Sequence, residues 1–175
     1  MSSCSRCATN SRCGCDFSSR AEQKPSLVSI EVVSDLLFQA VRNSARRAQS
    51  VAEGGMTPEE LQEADERLAG WLGSTFLGEN PHFMSGEDWN PYGLSLYLQD
   101  ALSERFLAVT GEVPASPEAV VESAVSLLMA DLYELLHRAA RRGVSMQGVE
   151  DSPAAAAFIN RWARLLTGAP EELVG

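Results

Sequence analysis

The sequence lacks the hydrophobic stretches that membrane insertion or secretion requires. No apolar run approaches the roughly 20 residues that a bilayer-spanning helix needs. Residues 1–24 contain no hydrophobic segment at all, whereas a secretory signal peptide is built around one. We therefore expect a soluble, cytoplasmic protein without membrane association.

Catalytic and nucleotide-binding patterns are also scarce. The chain has only two histidines, His82 and His137, and nothing in the sequence around them supports a serine or cysteine triad. No glycine-rich phosphate loop follows a strand, because the two-residue alternation typical of strands is nearly missing. These absences favour a non-enzymatic protein over an enzyme.

Basic residues are too few for a nucleic-acid-binding surface. The 14 Lys and Arg side chains face 24 Asp and Glu, which gives a net charge of −10. Binding to phosphate backbones needs a basic surface, so nucleic acid is not the expected partner. Residues 1–24 carry four basic and two acidic side chains, and the acidic excess therefore lies in the rest of the chain. Such an acidic body either attracts basic partners or only keeps the protein in solution.

What the sequence does have is apolar residues at helical spacing. Five segments show such stripes, and they predict helices over residues 26–53, from 58 to about 77, 91–110, 117–142 and 153–167. Cap and proline pairs open four of them, at Thr57-Pro58, Asn90-Pro91, Ser116-Pro117 and Ser152-Pro153. The sequence thus predicts an all-α, compact five-helix bundle over residues 26–175, with the fourth helix at its centre.

The N-terminal tail, residues 1–25, holds all four cysteines of the chain. Cys4, Cys7, Cys13 and Cys15 lie within twelve residues, and clustered cysteines in a cytosolic protein favour metal over disulfides. Four thiolates suit tetrahedral zinc, so these residues are the candidate zinc ligands. The alternatives are a disordered tail with reduced thiols, and thiols that oxidise or take a fatty acyl chain.

Large apolar side chains crowd the predicted loop between the second and third helices. Phe83, Met84, Trp89 and Tyr92 are candidate partner-binding residues, because aromatic side chains dominate protein contacts. The alternative is that this loop folds back and covers one end of the bundle.

Three charged features of the fourth helix complete the set of candidates. Glu134 and His137 are spaced like half of a di-iron site, but helical geometry predicts that both face solvent. Asp131 is predicted at the edge of the core, where it would pair with an arginine or, alternatively, serve a ligand pocket. Arginines that end the first and fourth helices would form an anion site if those ends adjoin, although neighbouring acids are expected to neutralise them. These arginines are Arg42, Arg46, Arg47, Arg138, Arg141 and Arg142.

These patterns favour a small, non-enzymatic interaction or regulatory protein. Its partner would be another protein or a second copy of the chain, with a zinc ion as the candidate cofactor of the tail. The alternative is a ligand-binding or enzymatic bundle with a pocket between helices. The first hypothesis requires a filled core with an exposed apolar patch. The second requires an enclosed cavity with converging polar groups.

Overall fold

A computed structural model describes residues 30–77 and 91–167, which contain six α-helices and no strand. The all-α class is confirmed, but the number of helices is six instead of five. In chain order the helices are α1 (Ile30–Ala52), α2 (Pro58–Phe76), α3 (Pro91–Ala101), α4 (Ser103–Thr110), α5 (Pro117–Arg141) and α6 (Pro153–Thr167), with a short 3-10 helix at Val149–Asp151 before α6.

The additional helix arises because the predicted third helix breaks at Leu102. This residue leaves helical geometry, with φ −112° and ψ 12°, while the Ser103 hydroxyl donates to the Asp100 carbonyl at 3.2 Å. The apolar stripe nevertheless continues across the break, since Leu98, Leu102 and Phe106 are all buried. The spacing of this stripe also predicts Val109 as its last buried residue, and that prediction is wrong, because Val109 is 68% exposed.

Local capping signals set the helix ends as predicted. The Thr57 hydroxyl accepts from the Glu60 amide at 3.1 Å, and the Glu60 carboxylate accepts from the Thr57 amide at 2.9 Å. Ser116 caps α5 by accepting from the Ala119 amide at 3.2 Å. At the C-terminal end of α4, Gly111 has φ 83°, a left-handed conformation that favours glycine over residues with a side chain.

The hydrophobic core is organised around α5 and α6. Helix α5 packs against α2, α3 and α6, as the prediction of a central helix required. Helix α6 is equally central, because it also packs against α1, α3 and the 3-10 helix. Trp162 of α6 is fully buried among apolar side chains of several helices. The last turns of α5 lie beside the first turns of α6, and a surface groove forms between them.

Candidate binding groove between α5 and α6

One end of the groove is closed by a charged cluster around Asp131 of α5. Arg105 of α4 binds this carboxylate with two bonds, from Nη1 to Oδ2 at 3.0 Å and from Nη2 to Oδ1 at 2.8 Å. Two residues of α6 donate to the same Oδ2 atom, Arg161 through Nη2 at 3.1 Å and Trp162 through Nε1 at 2.8 Å. The predicted pairing of Asp131 with an arginine at the core edge is thus confirmed.

The cluster holds Asp131 as a carboxylate. Burial of the side chain raises its pKa, but the hydrogen bonds from Arg105 and Trp162 and the nearby positive charges outweigh burial, so the pKa lies below its usual value. The pKa of Arg105 is raised in turn, chiefly by the same bond. With four bonds to its two oxygens, Asp131 joins α4, α5 and α6, and this engagement argues against a role as a free catalytic base.

From this cluster the groove extends along α5 and α6 as an open channel of about 580 Å³. Its floor is apolar and includes the nearly buried Leu135 and Phe158. The exposed Ala157 of α6 also lines it, and the exposed Val144 stands beyond the end of α5. Apolar side chains that line a groove in this way are available to anchor an apolar side chain of a partner.

The rim of the groove carries more positive than negative charge. Glu134 and Arg138 form an ion pair at 2.6 Å across one turn of α5, with both side chains more than half exposed. Arg161 contributes to the Asp131 cluster. Arg142 lines the groove but makes no ion pair with a residue of the described ranges. The groove is therefore a locally positive region on an acidic protein.

A second polar cluster joins α1, α2 and α5 on another side of α5. The Tyr133 hydroxyl donates to Asp65 Oδ2 at 2.8 Å, and Arg47 Nη2 lies 3.5 Å from Asp65 Oδ1. Burial and the adjacent Asp65 raise the pKa of Tyr133 to about 12. Asp65 was not among the site residues predicted from the sequence. Its position four residues after Leu61, within the apolar stripe of α2, was the signal that could have found it.

The ends of α1 and α5 line one depression, and three of the six arginines near these ends have acidic partners. Ala48 of α1 and Ala140 of α5 line one shallow depression of about 390 Å³. Arg47 turns to Asp65, while Arg42 lies 3.7 Å from Glu150. The expectation that acids neutralise these arginines is confirmed for these two and for Arg138.

The structure describes only some of the remaining predicted site residues. The four cysteines Cys4, Cys7, Cys13 and Cys15 lie outside the described residues, as do Phe83, Met84, Trp89 and the side chain of Tyr92. Glu134 and His137 are both exposed on α5, as helical geometry predicted. Within residues 30–77 and 91–167, no three His, Cys, Asp or Glu side chains are grouped so that they could hold a metal ion.

Comparison of the chain with protein-family models, curated proteins and solved structures found no match. Among the helices of the two described ranges, none is both long and apolar enough to cross a bilayer. The described residues form an all-α fold with a groove between α5 and α6.

Proposed function

We propose that this protein is a small, non-enzymatic interaction domain that binds a short segment of a partner protein in the groove between α5 and α6. The observation that carries the proposal is the apolar lining of the groove, in which Val144, Ala154 and Ala157 are exposed beside a charged rim. A partner side chain placed there would bury apolar surface against an existing pocket, and such buried anchors supply most of the affinity of protein contacts.

The charges of the rim specify what that segment would carry. Arg105 and Arg161 share the single carboxylate of Asp131, which leaves one positive charge in excess. Glu134 pairs with Arg138, and Arg142 adds a further positive charge. An acidic segment with one or two large apolar residues complements this arrangement, because its carboxylates would meet guanidinium groups. The rest of the acidic domain would repel the same segment, which favours the groove over other surfaces.

The alternative is that the groove binds a small molecule. Its volume of about 580 Å³ lies within the range of small-molecule pockets. Two features favour a peptide instead: the groove is open along its length, and its most deeply placed ionisable group, Asp131, already receives four hydrogen bonds. Asp131 is thus not free to orient or activate a small substrate.

For the N-terminal tail we propose a zinc ion held by Cys4, Cys7, Cys13 and Cys15. The support is the number of thiols and their spacing, in which Cys4 and Cys7 are separated by two residues, as in many zinc sites. This proposal concerns a separate part of the chain and does not depend on the groove.

The groove proposal is tested by selecting binders from a displayed random-peptide library on the immobilised full-length protein. We expect enrichment of acidic peptides that contain large apolar residues. A parallel selection on Ala157→Glu, which places a carboxylate on the groove floor, should lose them. Ala156→Glu is the matched control, because Ala156 is the neighbouring exposed alanine of α6 and does not line the groove. Enrichment that is the same on all three proteins, or absent from the wild type, would refute the proposal.

A further inference from the structure

A second groove lies on the other side of the Asp131 cluster, between the end of α3, the start of α4 and the last turns of α6. It has a volume of about 350 Å³. Three arginines line it: Arg105 of α4 with Arg161 and Arg164 of α6. Its other walls are largely apolar and include Ala101, Leu102 and Leu165.

The positive charge in this groove exceeds the negative charge that the protein supplies. Arg105 and Arg161 share one carboxylate, that of Asp131. Arg164 makes no ion pair with any residue of the described ranges, and its buried Nε atom has no hydrogen-bond acceptor. Three guanidinium groups are therefore matched by a single carboxylate. An anion bound in the groove would neutralise this excess positive charge.

We propose that Arg105, Arg161 and Arg164 form a binding site for a phosphate monoester. Guanidinium groups donate paired hydrogen bonds to phosphate oxygens, and a doubly charged phosphate balances the excess charge better than one carboxylate would. The apolar walls give the organic group of an ester a surface to pack against, which free phosphate would leave unused. This site is distinct from the peptide groove, although Arg161 stands between the two.

The test measures binding of phenyl phosphate and inorganic phosphate to the full-length protein by calorimetry at constant ionic strength. We expect phenyl phosphate to bind at least about threefold more tightly than inorganic phosphate, because its ring is buried against the apolar walls. Equal affinities would overturn the assignment to an ester. Failure of both compounds to give saturable binding would overturn the site itself.

Charge-matched variants locate the site. Arg164→Gln should weaken phenyl phosphate binding by about tenfold, and Arg164→Lys should weaken it less, because the charge remains while the paired donors are lost. Arg67→Gln is the control, since it makes the same charge change on the exposed face of α2. Similar weakening in Arg67→Gln and Arg164→Gln would overturn the proposal.

One further variant tests whether a loss of phenyl phosphate binding could come from misfolding. Ala101 is exposed at the rim of this groove, and Ala101→Glu places a carboxylate near the three guanidiniums. We expect this variant to keep or raise the thermal midpoint and to lose phenyl phosphate binding. A folded Ala101→Glu protein that binds phenyl phosphate like the wild type would overturn the proposal. Val144→Glu, a substitution in the peptide groove outside this site, should leave this binding unchanged, which separates the two sites.

Discussion

Removal of the Asp131 carboxylate should destabilise the domain far more than removal of a neighbouring surface carboxylate. The Asp131 side chain is only 12% exposed and receives four hydrogen bonds from residues of α4 and α6. Asp131→Ala leaves the buried indole N–H of Trp162 without its acceptor and leaves two arginines without their counter-ion. From the cost of breaking a largely buried pair we expect a loss of about 3 kcal/mol in the free energy of unfolding.

Glu134→Ala is the matched control for this prediction. It removes an ion pair with Arg138 on the same helix, but both side chains of that pair are more than half exposed. Exposed pairs across one helical turn contribute about 0.5 kcal/mol or less. Urea unfolding at neutral pH measures both variants. For a chain of this length about 3 °C of thermal midpoint corresponds to 1 kcal/mol, so Asp131→Ala should lower the midpoint by about 9 °C.

The pH dependence of unfolding provides a second check on the Asp131 cluster. Because the pKa of Asp131 is lowered in the folded state, its stabilisation is present above the usual carboxyl pKa near 3.8 and is lost as pH falls through the lowered value. Asp131→Ala should therefore lose less stability than the wild type between neutral pH and that acidic range. If Asp131→Ala lowers the free energy of unfolding at neutral pH no more than Glu134→Ala does, the reasoning that this cluster joins the three helices is refuted.

The remaining predictions concern the second polar cluster and the tail. Tyr133→Phe should cost about 1 kcal/mol, because buried Asp65 loses a hydrogen bond, and the absorbance titration should lose the tyrosine with a pKa of about 12. Since that pKa is raised, the contribution of Tyr133 is present below pH 10 and disappears as pH rises towards 12; a Tyr133 pKa near 10 would contradict this. In freshly prepared, reduced protein we expect about one zinc per chain by elemental mass spectrometry, lost in Cys4→Ser/Cys7→Ser. Wild-type protein without metal would refute the zinc proposal.

Features governed by neighbours in the sequence could be predicted from the sequence. The reciprocal bonds of Thr57 and Glu60 involve residues three apart, and so does the Ser116 cap of α5, so both follow from spacing alone. The exposure of Glu134 and His137 followed from helical periodicity in the same way. The position of Asp131 at the core edge was also a matter of periodicity, although its partners were not.

Features governed by helix packing could not be read in this way. Arg105 and Trp162 lie 26 and 31 residues from Asp131, and their meeting depends on how α4 and α6 pack against α5. The groove between α5 and α6 and the second groove, lined by Arg105, Arg161 and Arg164, arise from the same packing. The break at Leu102 escaped prediction for a different reason: no glycine or proline marks it, and the apolar stripe continues through it.

The central claim, that the groove between α5 and α6 binds a partner segment, is tested most directly by one affinity comparison. A peptide selected on the wild-type protein is labelled, and its Kd is measured by fluorescence anisotropy with wild type, Ala157→Glu and Ala156→Glu. The claim predicts that Ala157→Glu weakens binding by about tenfold or more, because a carboxylate then meets an acidic peptide on the apolar floor, while Ala156→Glu changes it by less than about twofold. Equal effects of the two substitutions, or no effect of Ala157→Glu, would contradict it.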